Sequence, residues 1–372
     1  MNSNEKFERM LNLEKPNDRS EIPYFPQILT WAGTCSGISQ ADIVNNVDRN
    51  IEALDLTFEK IGKPDVMMMV TLHDNVFIMG LPVRVPGKEL PDDALYQFVE
   101  TDLFEIPDGG EYERILQMGW QAWNGMMMCK IQNPPFTSPE QLMARFGEMG
   151  QNMGKMAAHF CPQGIAPLSH TACAPVYDTL SQMHTMEEFC YDMFDYPDEL
   201  KAAIMKSTPD VIGQTIGMCK QVNGTRAAVY AMRSSATFVS ADAFGEFCWP
   251  ALKMMIEAFW AEGIRTILHA DGNWLPMLEY FTQVPKSSVH FEFDSATDMR
   301  KAYEIIGGWQ SMRGDVPAAM LSYGTPDEVA QYCESLITDI GMKGGLMLGS
   351  GCEVPMNAKL ENVIAMGNSL KL

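Results

Sequence analysis

A chain of 372 residues that is 46% hydrophobic and 20% charged can bury a large core, and it has no low-complexity tract that would stay disordered. Its formal net charge of −21, without a basic stripe interleaved with aromatics, argues against nucleic acid, and no run of about 18 apolar residues offers a membrane span. Nine cysteines without a CxxC pair fit the reduced thiols of a cytoplasmic protein, and "MNSNEKFERM" lacks the apolar region of a secretory signal.

In chain order, a first strand is predicted at 24–31 ("YFPQILTW"). A helix follows with Ile43, Val44, Val47, Ile51, Leu54 and Phe58 on one face, and it leads to a second strand at 64–70 ("PDVMMMV"). The stretch from about 75 to 135, with "GLPVRVPGKELP" and "IQNPPFTSPEQ", is too long for a plain crossover and reads as an inserted hairpin with extra helices. A third strand is predicted at 164–170 ("GIAPLSH"). Five more follow at 227–232, 265–270, 289–293, 309–313 and 345–349. Between them, Leu252, Met255, Ile256 and Phe259 lie at helical spacing before Gly263, with Pro250 kinking or restarting the segment. "TPDEVAQYCESLITDIG" has Thr325 as N-cap, Pro326 in the first turn, Glu328 completing a capping box and Gly341 as the stop. The 30 methionines, clustered in "VMMMV" and "GMMMCK", read as flexible core filler that would also suit the wall of an adaptable pocket.

Eight strands alternating with helices match a (β/α)₈ TIM barrel formed by one domain spanning 1–372, although an open doubly wound sheet has the same local pattern. In a barrel the loops after the strands line one mouth, and the strand ends here hold Trp31, His170, Tyr230, Arg233, His269, Asp271, Glu292, Asp294, Asp315 and Cys352. In "TILHADGNW" (266–274) His269 and Asp271 stand two apart, so strand geometry points both side chains to one face. The plainer alternative is an Asx-type turn at Asp271 beside a core histidine bonded to a carbonyl. "GLMLGSGCEVP" brings Cys352 to the mouth from strand eight, roughly across the lumen from strand five. Together the three would offer nitrogen, oxygen and sulfur ligands with one position open, as in a catalytic zinc site, while Cys352 alone reads as a small buried thiol.

"HADGN", followed about eighty residues later by "GSGCEVP", with "GTPDEV" between them and "NAKLENVIAM" at the end, resembles the uroporphyrinogen decarboxylase superfamily. The closer likeness within it is to the corrinoid-dependent methyltransferases, including the methyl-ether-cleaving components of O-demethylase systems and methylcobalamin:coenzyme M methyltransferases. The resemblance implies a (β/α)₈ barrel whose mouth receives a methyl group on its way to or from cobalt, with the cobalamin-type corrinoid presented by a partner protein. Thiol-methylating members carry His-x-Cys where this chain has His269-x-Asp271, and the harder carboxylate favours an ether oxygen over a thiol. The decarboxylase pattern has an arginine-bearing N-terminal loop, whereas "TWAGTCSG" has none.

The expected function is O-demethylation of a small, aromatic methyl ether, with zinc held by His269, Asp271 and Cys352. His269, Asp271 and Tyr230 are the expected catalytic residues, with Tyr230 or His170 protonating the product oxygen. Trp31, His170, Arg233 and Glu292 are the expected substrate contacts; Trp31 would pack the ring and Arg233 would pair with a ring carboxylate or serve a structural ion pair. A corrinoid protein would dock across the strand ends, near Asp315 and Glu353. A zinc-dependent methylcobalamin:thiol methyltransferase is the alternative, followed by a tetrapyrrole decarboxylase or a non-catalytic tetrapyrrole-binding barrel.

Overall fold

Apolar runs such as "AAVY" (227–230) leave no solvent side for a strand, and such strands pair where helices cover both faces of a parallel sheet. In the computed structural model, which describes residues 1–371, eight parallel strands do this. They are β1 (Tyr24–Gln27), β2 (Val66–Met67), β3 in two segments (Ala166–Pro167 and Thr171–Cys173), β4 (Arg226–Tyr230), β5 (Arg265–Ala270), β6 (Val289–Phe293), β7 (Ser311–Val316) and β8 (Leu346–Glu353). One curled seven-stranded sheet runs β1, β8, β7, β6, β5, β4 and the second segment of β3. The first segment of β3 pairs with β2, and the Asp65 amide donates to the Tyr24 carbonyl at 2.9 Å, so β2 bridges the two ends of the sheet. The predicted TIM-barrel class holds, and the open-sheet alternative is removed.

The elements differ from expectation where a side chain or a bulge overrides periodicity. The helix expected through Ile43 and Phe58 is two helices, Gln40–Asn45 and Val47–Ile61. They break at Asn46, whose backbone is extended and whose side chain accepts from the Asp48 and Arg49 amides. A short amide side chain competes with the helix for backbone donors, so it caps where an aliphatic residue would have continued. Pro250 sits in the first turn of Trp249–Ala261, where its missing N–H costs nothing, behind a short π-helical turn at Phe244–Cys248. Thr325 and Glu328 form the expected capping box on Pro326–Asp339. β1 stops four residues before its predicted end, and β3 runs three residues beyond its own, after an interruption at 168–170.

The stretch after β2 holds the helix Leu72–Ile78, an antiparallel hairpin of Val83–Arg84 with Gln97–Phe98, and the helices Gly110–Met118, Trp120–Lys130 and Pro139–Phe160. Met67, Met69 and Met127 are buried in the main core, as filler. At the other end of the barrel, Phe7, Met10 and Leu11 of the helix Ser3–Leu11 pack with Phe25, Val66, Ala166, Leu168, Ile267 and Met347. This helix plugs the lumen beneath the strand N-termini, so access from solvent is left to the C-terminal end. No helix among the described residues is long and apolar enough to cross a membrane.

Candidate functional site

Parallel register places Tyr230, His269, Glu292 and Arg313 on one rung across β4 to β7. Residues on one rung of a closed parallel sheet point the same way, here into the lumen, so four polar side chains share one layer. The Arg313 guanidinium is fully buried and donates from Nη1 to Glu292 Oε1 at 2.8 Å and to Gln27 Oε1 at 2.9 Å, and from Nη2 to the Ser350 carbonyl at 2.8 Å. Burial opposes ionisation of Glu292, yet Arg313 and His269 hold its carboxyl well below the ordinary range. Its second oxygen lies 3.3 Å from His269 Nδ1, which orients the ring with Nε2 toward the mouth. The Tyr230 ring meets His269 edge-on, with centroids 5.7 Å apart, and its hydroxyl donates to Asn75 Oδ1 at 2.7 Å.

Above this layer His269 Nε2 lies 3.4 Å from Asp271 Oδ2 and 4.0 Å from Cys352 Sγ. The three ligand atoms lie within 4.8 Å of one another, a span that suits three ligands of one cation at about 2.0–2.3 Å. Asp271 follows β5 in a loop closed by Gly272, which has φ +84° and whose N–H donates to Asp294 Oδ2 at 2.8 Å. A Cβ at Gly272 would stand 2.5 Å from Ser235 Oγ, so both conformation and space demand glycine there. Cys352 arrives through an irregularity in β8: Phe25 pairs with Gly349 but Gln27 with Glu353, and the additional residues re-aim the strand end.

The electrostatics of the triad favour a cation. Burial opposes a charged imidazole, but Asp271, Cys352 and Glu292 hold His269 well above its ordinary pKa. Burial likewise opposes the Asp271 carboxylate, which His269 and Arg313 nevertheless keep below its ordinary pKa. Burial and Asp271 push the Cys352 thiol up. The protein thus keeps protons on His269 and Cys352 that a metal ion would displace, and Glu292 already provides the carboxylate support typical of a ligating histidine. The donor set fits zinc, and Asp271, whose side chain is 36% exposed, leaves one side open.

The other expected site residues are placed differently. Glu292 is 3% exposed and holds His269 and Arg313, so it supports the triad instead of contacting substrate. Trp31 begins the helix Trp31–Ser36 beyond the end of β1; it is 1% exposed and donates from Nε1 to the Ala358 carbonyl at 3.0 Å, in the core. His170 lies at the opposite end of the barrel, because β3 continues past it: its amide donates to the Arg226 carbonyl at the start of β4, and its Nδ1 accepts from the Thr225 amide. Arg233 donates to the Ser181 carbonyl, and its own amide donates to Asp178, so its role is to tie a loop. Asp315, buried, accepts from the Tyr332 hydroxyl at 2.7 Å, and Glu353, half-buried, accepts from the Thr30 amide at 2.7 Å, so both carboxylates serve partners within the chain.

Three contributors had no place in the sequence reading. Arg313 and Gln27 were legible only as polar residues in core strands; Arg313 closes the predicted strand 309–313 directly across from Glu292. Tyr96, from the inserted hairpin, brings its hydroxyl to 3.4 Å from Glu353 Oε2, next to Cys352, and nothing local in "DALYQF" announces this.

Residues 158–371, more than half of the chain, match the family described as uroporphyrinogen decarboxylase (URO-D). Among solved structures, a methyltransferase from Methanosarcina mazei superposes with a TM-score of 0.66 at 15% sequence identity, covering 100% of this chain and 98% of that one. At that identity the likeness is one of fold. No curated protein matches the chain in sequence. The matched segment contains β3 to β8 and, with them, His269, Asp271, Glu292, Arg313 and Cys352; the chain belongs to the uroporphyrinogen decarboxylase (URO-D) family.

Proposed function

We propose that this protein is a methyltransferase that takes a methyl group from a small, aromatic methyl ether and passes it to the cobalt of a corrinoid carried by a separate protein. The supporting observation is the His269, Asp271 and Cys352 triad at the open end of the barrel, with a carboxylate where the thiol-methylating pattern has a cysteine. The fold shared with a methyltransferase from Methanosarcina mazei is in keeping with this reading. Decarboxylation of a polycarboxylate is disfavoured because Arg313 and Arg233, the arginines around the mouth, already serve internal partners.

In ether cleavage the methyl carbon moves to the acceptor, the C–O bonding pair stays on oxygen, and negative charge grows there. A zinc ion held by His269, Asp271 and Cys352 would supply a Lewis acid for that oxygen. Glu292, fixed by Arg313, keeps His269 Nε2 aimed at the mouth. We assign the hydrogen bond to the departing oxygen to Tyr96, whose hydroxyl exchanges its long contact with Glu353 Oε2 for it, in place of Tyr230 or His170, the first expected donors; the Tyr230 hydroxyl is held more closely by Asn75.

The test is metal analysis followed by a screen of methoxybenzoates and methoxyphenols with free cob(I)alamin, read as the absorbance change on methylation. We expect close to one zinc per chain, and methyl transfer that is lost in His269→Ala and Cys352→Ser variants that stay folded. Methylation of a thiol from methylcobalamin, with no ether cleaved, would sink the ether reading.

A further inference from the structure

A cavity of about 570 Å³ lies outside the barrel mouth, between the helix Leu72–Ile78, the inserted hairpin and the start of the helix Pro139–Phe160. That is within the roughly 300–1,000 Å³ of small-molecule sites. Its lining residues all fall between 45 and 148, before the segment that matches the family, and come from the insertion and the helices that flank it. His73 and Phe77 line it from the face of their helix opposite Asn75, the residue that holds Tyr230. The cavity and the metal triad are therefore separate sites on two sides of one helix.

We infer that this cavity is a second ligand site, for a small organic anion with an apolar body. Phe77, Val85, Ile131 and Phe136 supply the apolar wall. The charged groups of the lining are unequally satisfied. Glu89 already accepts from the Val85 amide at 2.9 Å and from Asn133 Nδ2 at 3.0 Å, and Glu148 is 64% exposed. Arg145 is 9% exposed; its Nη2 pairs with Asp74 at 2.7 Å and its guanidinium stacks 4.7 Å from the centre of the Phe77 ring. Its Nη1 has no hydrogen-bond acceptor among the described residues, and Glu148 stands off at 3.7 Å. The side chain of Lys88, exposed at the rim, makes no hydrogen bond or ion pair among the described residues. A buried guanidinium with a free donor, a lysine without a partner and an aromatic wall are the complement of a carboxylate carried on a ring. Burial, reinforced by Lys88 and Arg145, holds His73 down to about 3, so the ring adds no further positive charge but does register the field of both cations.

Isothermal titration of the full chain with 2-naphthoate at low salt tests this, with 2-naphthamide as the neutral control. We expect one bound naphthoate per chain and at least about 10-fold weaker binding of the amide, the scale of losing a charge-assisted hydrogen bond. Lys88→Met, which removes no internal partner, should weaken naphthoate by about 10-fold. Ala144→Trp, which fills the cavity from an exposed helix position, should abolish it. Cys352→Ser should bind as the parent does, which separates this cavity from the metal triad. No binding to the parent, equal binding by Lys88→Met and Ala144→Trp, or loss in Cys352→Ser would each overturn the assignment.

Discussion

Glu292 and Arg313 are buried charges on adjacent strands, and together they make His269 a usable ligand. Alone in the lumen either charge would be costly, because a buried ion needs a partner and hydrogen bonds to offset its desolvation. Paired across one rung they satisfy each other, and the second Glu292 oxygen fixes His269. Glu292→Gln keeps the shape but weakens the hold on Nδ1 and leaves Arg313 without its anion. Competition with a zinc-binding dye should show a loss of roughly 10- to 100-fold in zinc affinity, the range for disturbing the support of a metal ligand. Unchanged affinity would mean that Nδ1 is oriented by something else. Glu292 was legible as a strand-end residue at the mouth and was expected to contact substrate, but not as a support, since a place at a strand end does not say which side chains lie beyond it.

At the scale of elements, the departures from the sequence reading come from single side chains that compete with a periodic pattern. Asn46 ends one helix and caps the next although the apolar stripe runs through it. Asn46→Ala removes an acceptor from the Asp48 and Arg49 amides, so urea unfolding should show a loss of about 1 kcal/mol. A gain in stability would mean that the two helices prefer to merge and that the break is imposed from outside. β3 makes the same point in the opposite sense: its interruption at 168–170 lets the strand resume, which moves His170 from the expected mouth to the foot of the barrel.

The molecule as a whole is tied at the mouth by contacts between successive loops, and one of them makes stability depend on pH. Asp178, on the helix Val176–Met183 after β3, accepts from the Arg233 amide at 2.8 Å and from Ser234 Oγ at 2.6 Å, in the loop after β4. Burial outweighs these bonds and pushes its carboxyl from 3.8 up to about 7. An acid whose pKa is raised by folding keeps an extra proton in the native state. Its contribution is therefore fully present below the unfolded pKa and is lost as pH rises through about 7. The loss is up to about 4 kcal/mol, taken as an upper bound. Chemical denaturation at about pH 5 and about pH 8 should show the parent losing more stability than Asp178→Asn, which cannot ionise. A constant difference between the two proteins would show that Asp178 does not titrate over that range.

The sequence by itself determined the alternation of strands and helices, which suits a barrel and an open sheet alike, and the pairing of His269 with Asp271, because each rests on a local signal: apolar runs, caps, and a histidine and carboxylate two positions apart at a strand end; closure of the sheet, which carries Cys352 to that pair, is tertiary. It also placed an insertion after the second strand from the length and composition of the connection. Only the tertiary structure decided which polar residues share a rung, since register between strands is a long-range property that no single segment carries. Tertiary structure alone brought Tyr96 from the insertion to the mouth, sent Trp31 into the core, and formed the open cavity lined by Phe77, Lys88 and Arg145. Those placements depend on how separate elements pack against one another, and packing is settled by the shape and charge of surfaces that the chain creates only once it has folded.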